Sequence, residues 1–362
     1  MQKSISGRLE VLHQQLQAIC EPLGRIAVAL YDKNTNQLYT FLASCEESPL
    51  KNYQVSLDSV PSLKKLAETG ESRILNNLGD ALTSNTHHSQ QIKKSGFKSS
   101  MTVPLMSQGK FFGILFFDSY ENDTFDDSLQ NNLVIYSQLI AEIISHDLSS
   151  IKTLKGAVIT AREFSRLRDE ETASHLSRMA HYSRLIAMEL SESHNISEEE
   201  VEYIYQFAPL HDIGKVAIPD NILLKRGGLN AEEFEVMRTH VMKGVEVVDL
   251  MINEFDLDTI RHIEILRNII VGHHERFDGS GYPAGWLGDE APIESRIIAA
   301  ADVFDALTTE RPYKKAWSFK DALHYMQVEK KEHFDPTCVS AIIARIDDFK
   351  EIQQRFADDE ME

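Results

Sequence analysis

Residues 296–307, RIIAAADVFDAL, read as a largely apolar helical run with a carboxylate, Asp302, near its centre. An unpaired carboxylate would be costly to bury there, so Asp302 calls for a partner: a metal ion, or a buried Arg or Lys. Working outward, four further clusters of potential ligands precede it: Glu171 with His175, the pair His211 and Asp212, His240, and the pair His273 and His274. Glu171 and His175 are four apart and share one helix face. His211 and Asp212 diverge by about 100° on a helix, yet both can reach a common centre, and Asp212 has two oxygens with which to bridge a pair of ions. Nitrogen and oxygen donors mixed in this way suit hard or borderline metal ions. No cysteine lies among them, which argues against a structural zinc knot. A site with eight ligands is most economically explained by at least two ions, and such sites commonly cut phosphate esters. Spacing alone leaves open a scatter of unrelated histidines, of which His87, His88, His146 and His324 are examples.

Around these clusters the chain reads as helices, with periodic stripes over 173–191, 199–213, 231–251, 259–272, 293–308 and 319–329. Residues 1–150 instead read as mixed α and β. Apolar runs at Ile26–Tyr31, Leu38–Ala43, Met101–Met106 and Phe111–Phe117 alternate with turn signals at 32–36 and Gln108-Gly109, and helices are expected near 58–69 and 86–95. Between the two parts, Leu133, Tyr136, Ile140, Ile143, Leu148, Ile151, Leu154 and Val158 form the stripe of a long helix over 129–165. A stripe of this kind suits pairing with a second copy in a parallel homodimer, and packing on its own domain would look similar.

At 362 residues the chain accommodates two domains. No apolar run approaches the roughly 20 residues that span a bilayer, and the amphipathic N-terminus lacks a signal-peptide core. The three cysteines, Cys20, Cys45 and Cys338, have no paired spacing, so a cytoplasmic setting is expected. A net charge of −19 disfavours long nucleic acid and anionic membranes as partners. Bound cations can still admit a small anionic substrate.

The segment 99–125, SSMTVPLMSQGKFFGILFFDSYENDTF, with the helix after it resembles a GAF sensory domain over roughly 8–148. That resemblance allows an unknown small ligand between sheet and helices. The Asn-Lys dipeptide of cyclic-nucleotide-binding members is absent. The strings HDIGKVAIPDNILLK (211–225), HHERFDGSGYP (273–283) and ADVFDALTTERPYK (301–314), with RDEETASH (168–175) and HFDP (333–336), resemble the HD-GYP branch of the HD phosphohydrolases. The implied architecture is an α+β GAF-like domain (1–150, antiparallel sheet with helices). A connecting helix (129–165) joins it to an all-α HD-type domain (155–350).

The implied activity is hydrolysis of cyclic di-GMP to pGpG or GMP by a hydroxide held on two or three metals, iron first and manganese as the alternative. By motif, all eight residues named above become metal ligands, with Glu171 pointing to a third ion. Asp212 and Lys215 become catalytic, and Lys215, Tyr282, Arg311 and Lys314 become substrate contacts. Lys215 also reads as a solvated helix residue, and Arg311 with Lys314 as a solvated basic patch. Ala173, where Gly is usual, and Arg226-Gly227-Gly228, where a Pro-containing turn is common, depart from the pattern without removing a chemical group. Two rivals stay open: hydrolysis of another cyclic dinucleotide such as cyclic GMP-AMP, and a catalytically weak cyclic di-GMP receptor acting through a partner.

Overall fold

The structure is a computed structural model that describes residues 4–45, 50–81, 92–164, 172–257, 260–310 and 315–357, without the side chains of 161–164. It divides into two compact units, Met1–Leu148 and Ser149–Glu362.

In the first unit six strands form one antiparallel sheet. They are β1 (Leu23–Asp32), β2 (Gln37–Ala43), β3 (Gln54–Ser56), β4 (Arg73–Leu75), β5 (Ser99–Ser107) and β6 (Lys110–Ser119), in the order β3-β2-β1-β6-β5-β4. Alternation assigns the two faces. Val28, Leu30, Leu115 and Phe117 join a core with the helix Ile5–Gln17 and the start of the helix Asp127–Phe164. Ala29 and Ile114 point the other way, onto Leu63 and Leu66 of the helix Pro61–Thr69. The β5–β6 turn has positive φ at both Gln108 and Gly109, the geometry of the two-residue hairpin that the sequence signals. Strands β3 and β4 were not expected, because three residues are too few for alternation to register. The helix expected near 86–95 falls largely outside the described residues.

The long helix runs from Asp127 to Phe164, and its apolar stripe is used within the chain. Leu133, Ile140 and Ile144 are 0–3% exposed and belong to the core of the first unit, while Ile151, Leu154 and Val158 are equally buried. Five of the eight residues expected to form an intermolecular seam are therefore buried within the chain, and Tyr136, Ile143 and Leu148 are half-buried. A different set, Ile135 and Leu139, stays exposed.

Among the described residues the second unit contains helices, short turns and isolated bridges. Its axis is the helix Ala173–Leu190, where Tyr182 stacks on Phe349 at 4.4 Å and meets Phe304 edge-on. Two expected helices are interrupted. The stripe at 199–213 becomes a helix Glu198–Phe207 followed by tight turns at Ala208–Leu210 and Ile213–Ala217, because Pro209 cannot donate to the preceding turn. The stripe at 231–251 breaks at Thr239 into Ala231–Arg238 and His240–Glu254. Both breaks fall next to the candidate ligands His211 and His240.

Gly214 holds the first of these turns against the helix His240–Glu254. A methyl group there would lie 1.8 Å from the carbonyl oxygen of His240 and 2.5 Å from the nitrogen of Gly244. Both obstacles are backbone and cannot rotate away. Gly214→Ala is expected to destabilise the second unit by about 1–3 kcal/mol or more, read as a lowered urea midpoint together with reduced metal retention.

Candidate metal centre

Seven of the eight expected ligands converge into two groups. Asp212, His240, His273 and His274 form one, and His175, His211 and Asp302 form the other, with the ligand atoms of each group within 4.8 Å of one another. The eighth, Glu171, lies outside the described residues, as do the expected substrate contacts Arg311 and Lys314.

Asp212 stands between the groups. Its Oδ1 lies 3.1 Å from His240 Nε2 and 3.5 Å from His273 Nε2, and its Oδ2 lies 3.4 Å from His211 Nε2. One oxygen thus faces the first group and the other faces a member of the second, which is the disposition a bridging carboxylate requires. The same Oδ2 accepts from Lys215 Nζ at 2.7 Å. Burial opposes charge on Asp212, but the Lys215 ammonium holds its carboxyl well below the usual range.

Backbone geometry sets the direction of the imidazoles. Nδ1 of His211, His240 and His273 donates to the carbonyl oxygens of Ala208, Met237 and Ile270 at 2.9, 2.7 and 2.9 Å. His175 Nδ1 donates to Asp305 Oδ2 at 2.8 Å. Each bond fixes the tautomer that leaves Nε2 as a lone pair for the centre, as ligating histidines require. Burial pushes the imidazolium pKa of His273 and His274 down, so both rings are neutral and competent to ligate at neutral pH. Five buried or half-buried imidazoles and two carboxylates in the two groups, with no sulfur, fit divalent metal ions.

Three residues that the sequence reading did not single out hold this arrangement. Asp305 is 1% exposed. It accepts from His175 and from Arg178 Nε (2.6 Å) and Nη2 (3.0 Å). Arg178, also 1% exposed, donates through Nη1 to the carbonyl of Phe356. The argument that singled out Asp302 applies equally to Asp305, three residues later in the same apolar run, and could have found it. Asp302 itself lies 3.9 Å from His175 Nε2 and faces the ligand group, whereas the buried Arg partner belongs to Asp305. Glu275 Oε1 accepts from the backbone nitrogens of Ala284 and Gly285 at 2.7 and 3.1 Å. It thereby pins the loop that carries Tyr282, whose ring stacks on His274 at 4.8 Å.

Residues 167–338 match the family model described as HD domain, and residues 8–144 match the one described as GAF domain. Among curated proteins, the chain is 46% identical over 176 residues to the cyclic di-GMP phosphodiesterase response regulator RpfG of Xanthomonas campestris pv. campestris, covering 49% of this chain and 44% of that protein. It is 38% identical over 212 residues to a probable cyclic di-GMP phosphodiesterase of Vibrio cholerae, covering 57% and 48%. It is 37% identical over 207 residues to the 3'3'-cGAMP-specific phosphodiesterase 2 of the same organism, covering 57% and 38%. The chain spans about half the length of these relatives or less. No helix among the described residues is long and apolar enough to cross a membrane. The chain joins a GAF domain, matched over 8–144, to an HD domain, matched over 167–338.

Proposed function

We propose that this chain is a metal-dependent phosphodiesterase that hydrolyses cyclic di-GMP to pGpG or GMP under control of its GAF domain. The observation that carries the reading is Asp212, with one oxygen toward His240 and His273 and the other toward His211. Metal ions in such a site supply Lewis acidity to a phosphate ester and offset charge that builds during cleavage. The chain's own residues orient that chemistry. The backbone carbonyls hold the imidazoles, Asp305 holds His175, and Tyr282 packs beside His274 at the substrate side. Lys215 pairs with Asp212 when no ion is present. Once that carboxylate is shared between ions, we assign Lys215 to a phosphate oxygen. Lys215→Ala is then expected to retain its metals and slow hydrolysis by about 10²-fold, whereas unchanged turnover returns Lys215 to a structural partner of Asp212.

The assignment extends to iron, with manganese as the alternative, and to a third ion held with Glu171. Glu171→Gln should lower the metal count by about one ion while the others remain, and an unaltered count makes the site binuclear. Arg311 and Lys314 are proposed to hold the dinucleotide. The domain assignment is 1–150 sensory, 129–165 connecting and 155–350 hydrolytic. A homodimer is proposed through the exposed Ile135 and Leu139, four apart on the long helix, and the GAF domain is left open to a small ligand. The cytoplasmic setting follows from the cysteine usage. The relative named as 3'3'-cGAMP-specific favours a second reading, cyclic GMP-AMP as substrate. Chromatography of products from both dinucleotides, using the full chain purified without oxygen, tests the proposal. Cleavage of cyclic di-GMP at the higher kcat/KM supports it, cleavage of cyclic GMP-AMP alone moves the substrate to the second reading, and binding without cleavage makes the chain a receptor.

A further inference from the structure

Beside the metal centre, the helix Ala231–Arg238 carries an aromatic ring and a guanidinium that no step above uses. The helix is started by a capping box in which Asn230 and Glu233 satisfy one another's backbone nitrogens, yet none of its residues is buried. A stable helix without a buried face is a surface presented to something else. Phe234 is 43% exposed, which leaves its ring accessible to a ligand. The Arg238 guanidinium lies 5.0 Å from the centre of the Phe234 ring and 4.7 Å from that of Tyr282. The rings of Phe234 and Tyr282 meet edge-on at 6.4 Å, and Tyr282 stacks on His274 of the metal group. A continuous set, Phe234–Arg238–Tyr282–His274, therefore leads from an exposed aromatic surface to a ligand of the metal centre.

Arg238 is held in place but not saturated. Among the described residues its ion pair is with the exposed Glu235, Nη1 to Oε1 at 3.1 Å, an interaction of little strength in water. Its Nε is buried and has no hydrogen-bond partner among the described residues. The side chain as a whole is 36% exposed, so a ligand approaches the guanidinium from its outer edge rather than at Nε. A planar guanidinium also offers paired donors that match two adjacent acceptors. Guanine presents such a pair, O6 and N7, whereas adenine presents N7 beside an amino donor. An exposed aromatic ring stacks on either base without distinction.

The geometry points to a purine-base subsite in which Phe234 supplies the stacking surface and Arg238 selects guanine through O6 and N7. This inference rests on the nucleotide reading of the metal site, since the phosphate must be held there for a base to reach Phe234. It names the residues that decide between guanine and adenine at that site.

The test is calorimetric titration of the metal-loaded full chain with GMP and with AMP, with cyclic di-GMP hydrolysis assayed on the same preparations. The wild type is expected to bind GMP about 10-fold more tightly than AMP. Arg238→Met should abolish that preference with metal content unchanged, and Arg238→Lys should recover only part of it, because an ammonium cannot present the paired donors. Phe234→Ala should weaken both nucleotides alike by about 5-fold or more, and Phe234→Tyr should restore them. A GMP preference that persists in Arg238→Met overturns the subsite, as does a wild type that binds neither nucleotide. If the preference depends on Arg238 but no cyclic di-GMP is cleaved, the subsite stands and the phosphodiesterase reading falls.

Discussion

Asp212→Asn is expected to lose most of its bound metal and to lower turnover by about 10²–10³-fold or more. The amide keeps the shape of the side chain but brings one acceptor and no negative charge. Asp212 oxygens face both ligand groups, so one substitution weakens two sites at once. The change should leave the fold in place, because Asp212 lies in a turn and its side chain faces His211, His240, His273 and Lys215. Metal analysis paired with circular dichroism separates the two effects. Retained metal in a folded Asp212→Asn would remove this residue from the bridging position.

A second large effect is expected in stability. Asp305→Ala should cost about 3–5 kcal/mol, the range for breaking a buried ion pair by removing one partner. Asp305 accepts from both Nε and Nη2 of Arg178, and each residue is 1% exposed. Without the carboxylate, the guanidinium keeps its charge inside the protein without the Asp305 counter-charge, and the Phe356 carbonyl that accepts from Nη1 is neutral. The same substitution frees His175 Nδ1 and lets the ring turn, so metal in the group His175, His211 and Asp302 should be lost preferentially. Urea unfolding of the full chain gives the stability term. A change below about 1 kcal/mol would mean that water reaches Arg178, and that this pair does not hold His175 in place.

How far the sequence carries the account differs between the two domains. Continuous apolar runs marked the four long strands of the sheet, because each buries residues on both faces, with helices packed over them. They missed β3 and β4, whose three residues each are held mainly by neighbouring strands. The grouping of seven of the candidate ligands was legible because histidines and carboxylates among apolar stripes are chemically conspicuous. Their supports were not. The carbonyls of Ala208, Met237 and Ile270 that fix three imidazoles exist in every sequence and become orienting groups only once the turns at Pro209 and Thr239 are formed. Glu275 stands in the HHERFDGSGYP string with no spacing that marks it, and only the fold brings its oxygen to Ala284 and Gly285. The stripe on the long helix was read correctly as apolar, but periodicity cannot say which surface covers it. Leu133, Ile140 and Ile144 are covered by the chain's own sheet domain.

The central claim is that one buried carboxylate and its surrounding imidazoles hold several ions for phosphodiester cleavage. The most direct test is metal analysis of the full chain purified without oxygen, with chromatography of its cyclic di-GMP products from the same sample. The account predicts about two to three ions per chain and conversion to pGpG or GMP that a chelator abolishes and metal restores. Fewer than about one ion per chain after reconstitution of folded protein, or cleavage indifferent to the chelator, would contradict it.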